Sequence, residues 1–163
     1  MLFMKIWKKK PIWLSLPGLA LTLMVLCQPA EGLATMLAVR GEKVNLRSGP
    51  GTAYSVKWIY GAGFPVKVLK EKGEWLQVID FEQDTGWIHR SLLAEVSQVI
   101  VTAHRSTDSK INIRSGPGPG FDVVAKAYYG VVFESLGKSG NWVTIRHESG
   151  IAGWVQEDLV WGD

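Results

Sequence analysis

Few side chains in this sequence could run a reaction. Its three histidines are His89, His104 and His147, and its one cysteine is Cys27. A nucleophile needs a base within hydrogen-bond reach and a third group to orient that base. Asp84, His89 and Ser91 lie close enough in sequence to invite that reading. The chain carries a second copy of this segment, however, and there the same places hold Ile151, Gln156 and Asp158. A solvated loop is the expected setting for such residues. There is no H-E-x-x-H run or other metal-ligand spacing, so neither a metal nor another cofactor is expected. The residue types favour binding over catalysis.

Binding chemistry is better represented. Arg47 and Arg114 each sit between an asparagine (Asn45, Asn112) and a Gly-Pro-Gly run (Gly49-Pro50-Gly51, Gly116-Pro117-Gly118). A guanidinium grips a carboxylate through two parallel bonds. The same polar pair could instead serve the backbone of the loop, and its presence in both copies favours that structural role. Tyr54 and Phe121 follow the turn directly. Trp58, Tyr60 and Phe64 come next in the first copy, and Tyr128, Tyr129 and Phe133 in the second. Exposed aromatic clusters suit binding patches and sugar stacking, although some of these rings must fill the interior. The candidate ligand-binding residues are Arg47, Tyr54, Trp58, Tyr60, Arg114, Phe121, Tyr128 and Tyr129. The tryptophans present in both copies, Trp75 with Trp142 and Trp87 with Trp154, are expected to pack.

The elements that position these residues follow from the duplication. Residues 44–93 overlie residues 111–160 without a gap, at a constant offset of 67, and fourteen of the fifty positions are identical. Solenoid and propeller repeats run about 20–50 residues, so each copy is large enough to be a small domain. Residues 56–60, 65–69 and 75–79 are short β-rich runs bounded by glycine. Leu76 and Val78 match Val143 and Ile145, whereas Gln77 and Ile79 match Thr144 and Arg146, so the first set marks the core face. Gly73 and Gly140 suit tight hairpins. Gly86 and Gly153, each before a tryptophan, suggest a bulge or a close approach of two backbones. Residues 90–93 and 157–160 read as one helical turn before a short last strand. Entry strands are expected at residues 36–39 and 99–103, with the interdomain boundary near residues 95–98.

Composition separates a leader from the rest. Lys5 and Lys8-Lys9-Lys10 precede an apolar run over residues 12–26, and small residues Gly32 and Ala34 offer a cut after Ala34. That is the layout of a signal peptide, which forms a helix, and the run is short for a membrane span of about 20 residues. Leu26 occupies the place before Cys27 where a lipoprotein signal wants a small residue. Without residues 1–34, fourteen basic residues face fourteen acidic ones, so the net charge of +3 belongs to targeting. Nucleic-acid binding loses its electrostatic support. No cysteine remains after the cut, hence no disulfide or thiolate nucleophile. The expected organisation is a signal peptide, residues 1–34, and two all-β barrels, residues 35–95 and 96–163. No membrane span is expected to remain after processing.

These motifs resemble a known family. Asn45-x-Arg47-x-Gly49-Pro50 and Asn112-x-Arg114-x-Gly116-Pro117, each followed by Gly-x-Trp and then Gly86-Trp87-Ile88 or Gly153-Trp154-Val155, are similar to bacterial SH3 (SH3b) domains. The match runs over about residues 36–94 and 99–162. The resemblance implies a small, partly open β-barrel of about five to six strands. It also implies export to the periplasm or cell exterior and binding of peptidoglycan or its peptides, often as the targeting part of a wall hydrolase. The Cys-His peptidase or zinc amidase often joined to such barrels has no counterpart here, so a tandem, non-catalytic wall binder is expected. The alternative is an adaptor that holds another envelope protein. The Ala-Leu-Tyr-Asp-Tyr run of proline-gripping eukaryotic SH3 grooves is absent.

Overall fold

The computed structural model describes residues 35–105 and 108–163. The expected signal peptide, residues 1–34, lies outside the described residues. Among the described residues, no helix is long and apolar enough to cross a membrane.

The chain builds two seven-stranded antiparallel sheets, one per copy. The first comprises β1 (Met36–Val39), β2 (Val44–Arg47), β3 (Val56–Tyr60), β4 (Pro65–Lys72), β5 (Trp75–Ile79), β6 (Thr85–His89) and β7 (Leu93–Ala94). Their spatial order is β3-β2-β6-β5-β4-β1-β7. The second comprises β8 (Gln98–Val101), β9 (Ile111–Arg114), β10 (Val123–Ala127), β11 (Val132–Ser139), β12 (Trp142–Arg146), β13 (Ala152–Gln156) and β14 (Val160–Gly162). It repeats the same order, β10-β9-β13-β12-β11-β8-β14. A 3₁₀ turn, Arg90–Leu92 or Glu157–Leu159, precedes the last strand of each. The strand count exceeds the five to six implied by resemblance, because the short strand after that turn comes back to pair with the entry strand, Val39 opposite Leu93 and Val101 opposite Val160. The second entry strand ends at Val101 rather than Ala103. Thr102 and Ala103 both turn their N–H groups to the Leu159 carbonyl and leave the ladder.

Each sheet curls around one core. Tyr60 on edge strand β3 and Leu93 on the opposite edge strand β7 join the same buried cluster, together with Leu46, Leu76, Val78 and Ile88. The second cluster holds the aligned Ile113, Val143, Ile145 and Val155. Alternation along β5 and β12 follows the expected core face, with Leu76, Val78, Val143 and Ile145 all buried. Gly73 and Gly140 take φ of 57° and 56° at the hairpin tips, as the turn chemistry requires.

One core position differs in kind between the copies. Ser135 on β11 is buried, and its Oγ has no hydrogen-bond partner among the described residues. The aligned residue is Val68, which packs against the first core. A buried hydroxyl left unpaired carries a desolvation penalty of about 1–3 kcal/mol. Ser135→Val is therefore expected to stabilise the second barrel by about 1 kcal/mol. A urea midpoint unchanged or lowered in that variant would contradict the assignment of Ser135 as an unpaired core group.

Candidate binding face

A row of cross-strand neighbours organises the outer face of each barrel. In the first, Val56 stands opposite Arg47, Arg47 opposite Trp87, Trp87 opposite Gln77, and Gln77 opposite Lys70. In the second, the same row reads Val123, Arg114, Trp154, Thr144 and Gly137. Residues in register on antiparallel strands share a face, so each arginine lies beside a tryptophan. Lys70 covers Trp87 with its ammonium 5.7 Å from the ring centroid, and Trp87 is only 8% exposed. Gly137 offers no such cover, and Trp154 is only partly buried.

The approach of β6 to β2 is what brings Trp87 to Arg47. A Cβ on Gly86 would lie 2.5 Å from Leu46 Cγ and 2.8 Å from the Arg47 carbonyl oxygen. On Gly153 it would lie 2.6 Å from the Arg114 carbonyl oxygen. Of the two readings open in the sequence, close backbone approach is the one observed.

The arginines hold the Gly-Pro-Gly loops. Arg47 Nη1 donates to the carbonyls of Thr52 at 3.0 Å and Tyr54 at 2.8 Å. Arg114 Nη1 donates to the Phe121 carbonyl at 2.8 Å. Ser48 N–H closes the loop onto the Ser55 carbonyl at 2.9 Å, as Ser115 does onto Asp122. These bonds tie one guanidinium nitrogen of each arginine to the backbone of its own loop. Asn45 and Asn112 lie partly buried in the adjoining strands, opposite Ile59 and Lys126. The rings of Tyr54 and Phe121 lie flat against Gly49 and Gly116, where any Cβ would fall within them. That contact explains both the glycine and the aromatic at their fixed spacing. Pro50 and Pro117 sit in the same loops.

The remaining candidates divide by exposure. Tyr54 and Trp58 are about half exposed, as are Phe121 and Tyr128, and Lys110 Nζ lies 4.3 Å over the Tyr128 ring. Tyr60 departs from the expected ligand role: it is 6% exposed, stacks on Phe64 at 4.1 Å, and donates its hydroxyl to Asp80 at 2.7 Å. Burial leaves it no face for a ligand. Tyr129 is turned to the other barrel, where it donates to Glu82 and meets the Phe81 ring. Trp75 and Trp142 are partly buried, with Trp75 edge-on to His89.

Two of the histidines act as local caps. His89 Nδ1 accepts the Ser91 N–H at 3.3 Å and meets Ser91 Oγ at 2.8 Å, which starts the 3₁₀ turn. His147 treats Ser149 the same way. The first barrel has Asp80 in place of His147, and its carboxylate accepts the N–H groups of Glu82 and Asp84, each at 2.9 Å. Asp84 is thus bound into its own loop by its amide. Among the described residues, no group of three or more His, Cys, Asp or Glu could hold a metal ion.

Sequence reasoning missed the contact between barrels. Phe81 packs 5.6 Å from Tyr129 and 6.4 Å from Trp161, and Arg105 pairs with Glu82 at 2.9 Å. The available signal was aromatics that only one copy has, since Glu148 and Ala94 occupy the places matching Phe81 and Trp161.

Two of these tyrosines carry a pH dependence. Burial, then the hydrogen bond to Asp80, raises the Tyr60 hydroxyl far above the usual tyrosine range. Tyr129 is pushed up to about 12, by loss of solvent first and by Glu82 second. A raised folded-state value stabilises the fold fully below the unfolded value of about 10 and loses that stability as pH climbs past it. Thermal scans are expected to be level up to about pH 9 and to fall above about pH 10. Tyr129→Phe should shrink the fall between about pH 10 and 12; an unaltered profile would remove Tyr129 as a contributor.

A family model described as the bacterial SH3 domain matches residues 40–95 and again residues 107–162. Over 139 residues the chain is 30% identical to YrvJ of Bacillus subtilis (strain 168), provisionally named an N-acetylmuramoyl-L-alanine amidase. The alignment covers 78% of this chain and spans 27% of that relative's length. Among solved structures, an NlpC/P60 family protein from Bacillus cereus ATCC 10987 aligns at TM-score 0.36 and 12% identity, covering 79% of this chain and 56% of that one. The CBD of endolysin LysPBC5 aligns at TM-score 0.32 and 15% identity, covering 79% of this chain and 93% of that one.

Proposed function

Because the chain belongs to the bacterial SH3 domain family and carries that domain twice, we propose that it binds the cell wall, holding peptidoglycan or its peptides without acting on them. The observation that carries this reading is a half-exposed aromatic beside each arginine-held loop, Tyr54 in one barrel and Phe121 in the other, with Trp58 on β3 and Tyr128 at the far end of the β9–β10 hairpin exposed to a similar degree. Rigid rings at the surface stack on sugar faces and on apolar parts of peptides at little entropic cost. The loop is held from within by Arg47 or Arg114, so the ring beside it is presented in a fixed position. A relative named for N-acetylmuramoyl-L-alanine supports a ligand of that chemistry, an amino sugar carrying a peptide. The proposal contains no catalytic step; His89 and His147 each commit Nδ1 to a turn. The compartment that follows is the periplasm or the cell exterior.

Sedimentation with purified, insoluble peptidoglycan tests the reading. The chain is expected in the pellet, and a chain left wholly in the supernatant would end it.

One observation favours an adaptor instead. Strand β3 is an edge paired only with β2, and its Trp58 and Ile59 are both exposed. Such an edge can accept a strand from another protein. An adaptor would hold its partner after the wall has been digested, whereas a wall binder would be released.

A further inference from the structure

The loops of residues 80–84 and 147–151 occupy aligned positions but meet different surroundings. The first closes against the second barrel. Phe81 packs on Tyr129 and Trp161, and Glu82 engages both Tyr129 and Arg105. The residues aligned with the two central rings are Glu148, for Phe81, and Ala62, for Tyr129. These also lie together, on the wall of a cleft of about 660 Å³ between the barrels. Two aromatic rings fill the one contact. Its counterpart has a methyl group and a carboxylate, and it stays open.

The walls of this cleft carry both charges. Glu134 and Glu148 supply carboxylates, and Arg146 supplies a guanidinium. Arg146 is held by Glu134 Oε2 through Nε at 3.0 Å and Nη2 at 2.9 Å, and its Nη1 takes no part in that pair. His147 also lines the cleft, its Nδ1 committed to Ser149. The backbone of Gly63 and Gly150 forms part of the lining, where the absence of side chains lets a ligand's main chain come close. A volume of this order, at a boundary between domains, is typical of sites for small ligands.

We propose that the cleft between the barrels is a second binding site, which takes a short peptide carrying both a free amine and a free carboxylate. The amine is received by Glu134 and Glu148 and the carboxylate by Arg146, since charge-assisted bonds of this kind are the strong ones. A neutral glycan would leave the Glu148 carboxylate without a partner of opposite charge and Arg146 with Glu134 alone. The proposal rests on the wall-binding reading for the origin of the peptide. It assigns the peptide to the cleft and leaves the sugars to the exposed rings.

The test is an NMR titration of the purified chain with trialanine, first with free termini and then N-acetylated and C-amidated. Free trialanine is expected to shift the amide signals of Gly63 and Gly150, and the blocked form to leave them in place. Arg146→Ala and Glu148→Gln are each expected to weaken binding by about tenfold or more, with an unchanged melting temperature as proof of folding. Equal binding of the blocked peptide, shifts confined to the Gly-Pro-Gly loops, or no shift at all would overturn the proposal. Sedimentation with peptidoglycan separates the two readings. A chain that sediments but shows no cleft shift keeps wall binding and loses the cleft. A cleft shift without sedimentation keeps the peptide site and removes the wall as its source.

Discussion

Gly86→Ala is expected to lower the stability of the first barrel by about 3 kcal/mol, and Gly153→Ala to do the same to the second. The added methyl would meet Leu46, which is fully buried, and the carbonyl of Arg47. Neither can move aside: one is locked in the core, and the other belongs to the strand that carries the loop. The accommodation left is to separate β6 from β2, which would also pull Trp87 away from Arg47. Domains of this size bury only about 60% of their unfolded surface, so such a loss is a large part of the total. Gly61→Ala is the control. A Cβ there meets nothing within 4 Å, and the change should stay within about 0.5 kcal/mol. Urea unfolding followed by tryptophan fluorescence measures all three. A loss below about 1 kcal/mol for Gly86→Ala would show that the two strands part easily.

Trp58→Ala and Phe121→Ala are each expected to weaken attachment to peptidoglycan by about thirtyfold, the effect of losing one aromatic anchor worth about 2 kcal/mol. The joint variant should lose about the product of the two effects, leaving little attachment to measure. Two sites on one polymer act together, because binding at the first raises the effective concentration of the second. Here only Glu95, Val96 and Ser97 separate β7 from β8, and the Ser97 carbonyl already accepts from Ser135 in the second barrel. With the Phe81 contact added, the barrels have little freedom to seek separate ligands. Single variants indistinguishable from the unaltered chain in a pelleting isotherm would show that these rings do not touch the wall.

The strands were legible because their chemistry is local. Of residues 75–79, Leu76 and Val78 keep apolar counterparts in the second copy while Gln77 and Ile79 do not, in step with the pleat, and Gly73 stands where a hairpin needs positive φ. Gly86 was legible as a point of contact but not as to its partner, since Leu46 and Arg47 lie forty residues away. The loop was harder. The sequence left Arg47 two roles, and the choice depended on a curvature that brings the Thr52 and Tyr54 carbonyls back to one nitrogen. Tyr60 misled for the same reason: the side chain suits a ligand, and only the fold reveals Asp80 behind it. Tyr129, a candidate ligand ring in the sequence, has Ala62 as its counterpart in the first copy. Its partners, Phe81 and Glu82, belong to the other barrel, and nothing in a comparison of copies says which loops will face each other.

The asymmetry at Phe81 also bears on how this protein could be divided or reused. A cut at residues 95–97 would leave the front half with an uncovered phenylalanine and the back half with an uncovered Tyr129 and Trp161. Each half would have acquired a sticky spot that the intact chain hides. Duplication has therefore not produced two interchangeable parts. The smallest portable unit for grafting onto another protein is the pair, joined head to tail in its present order.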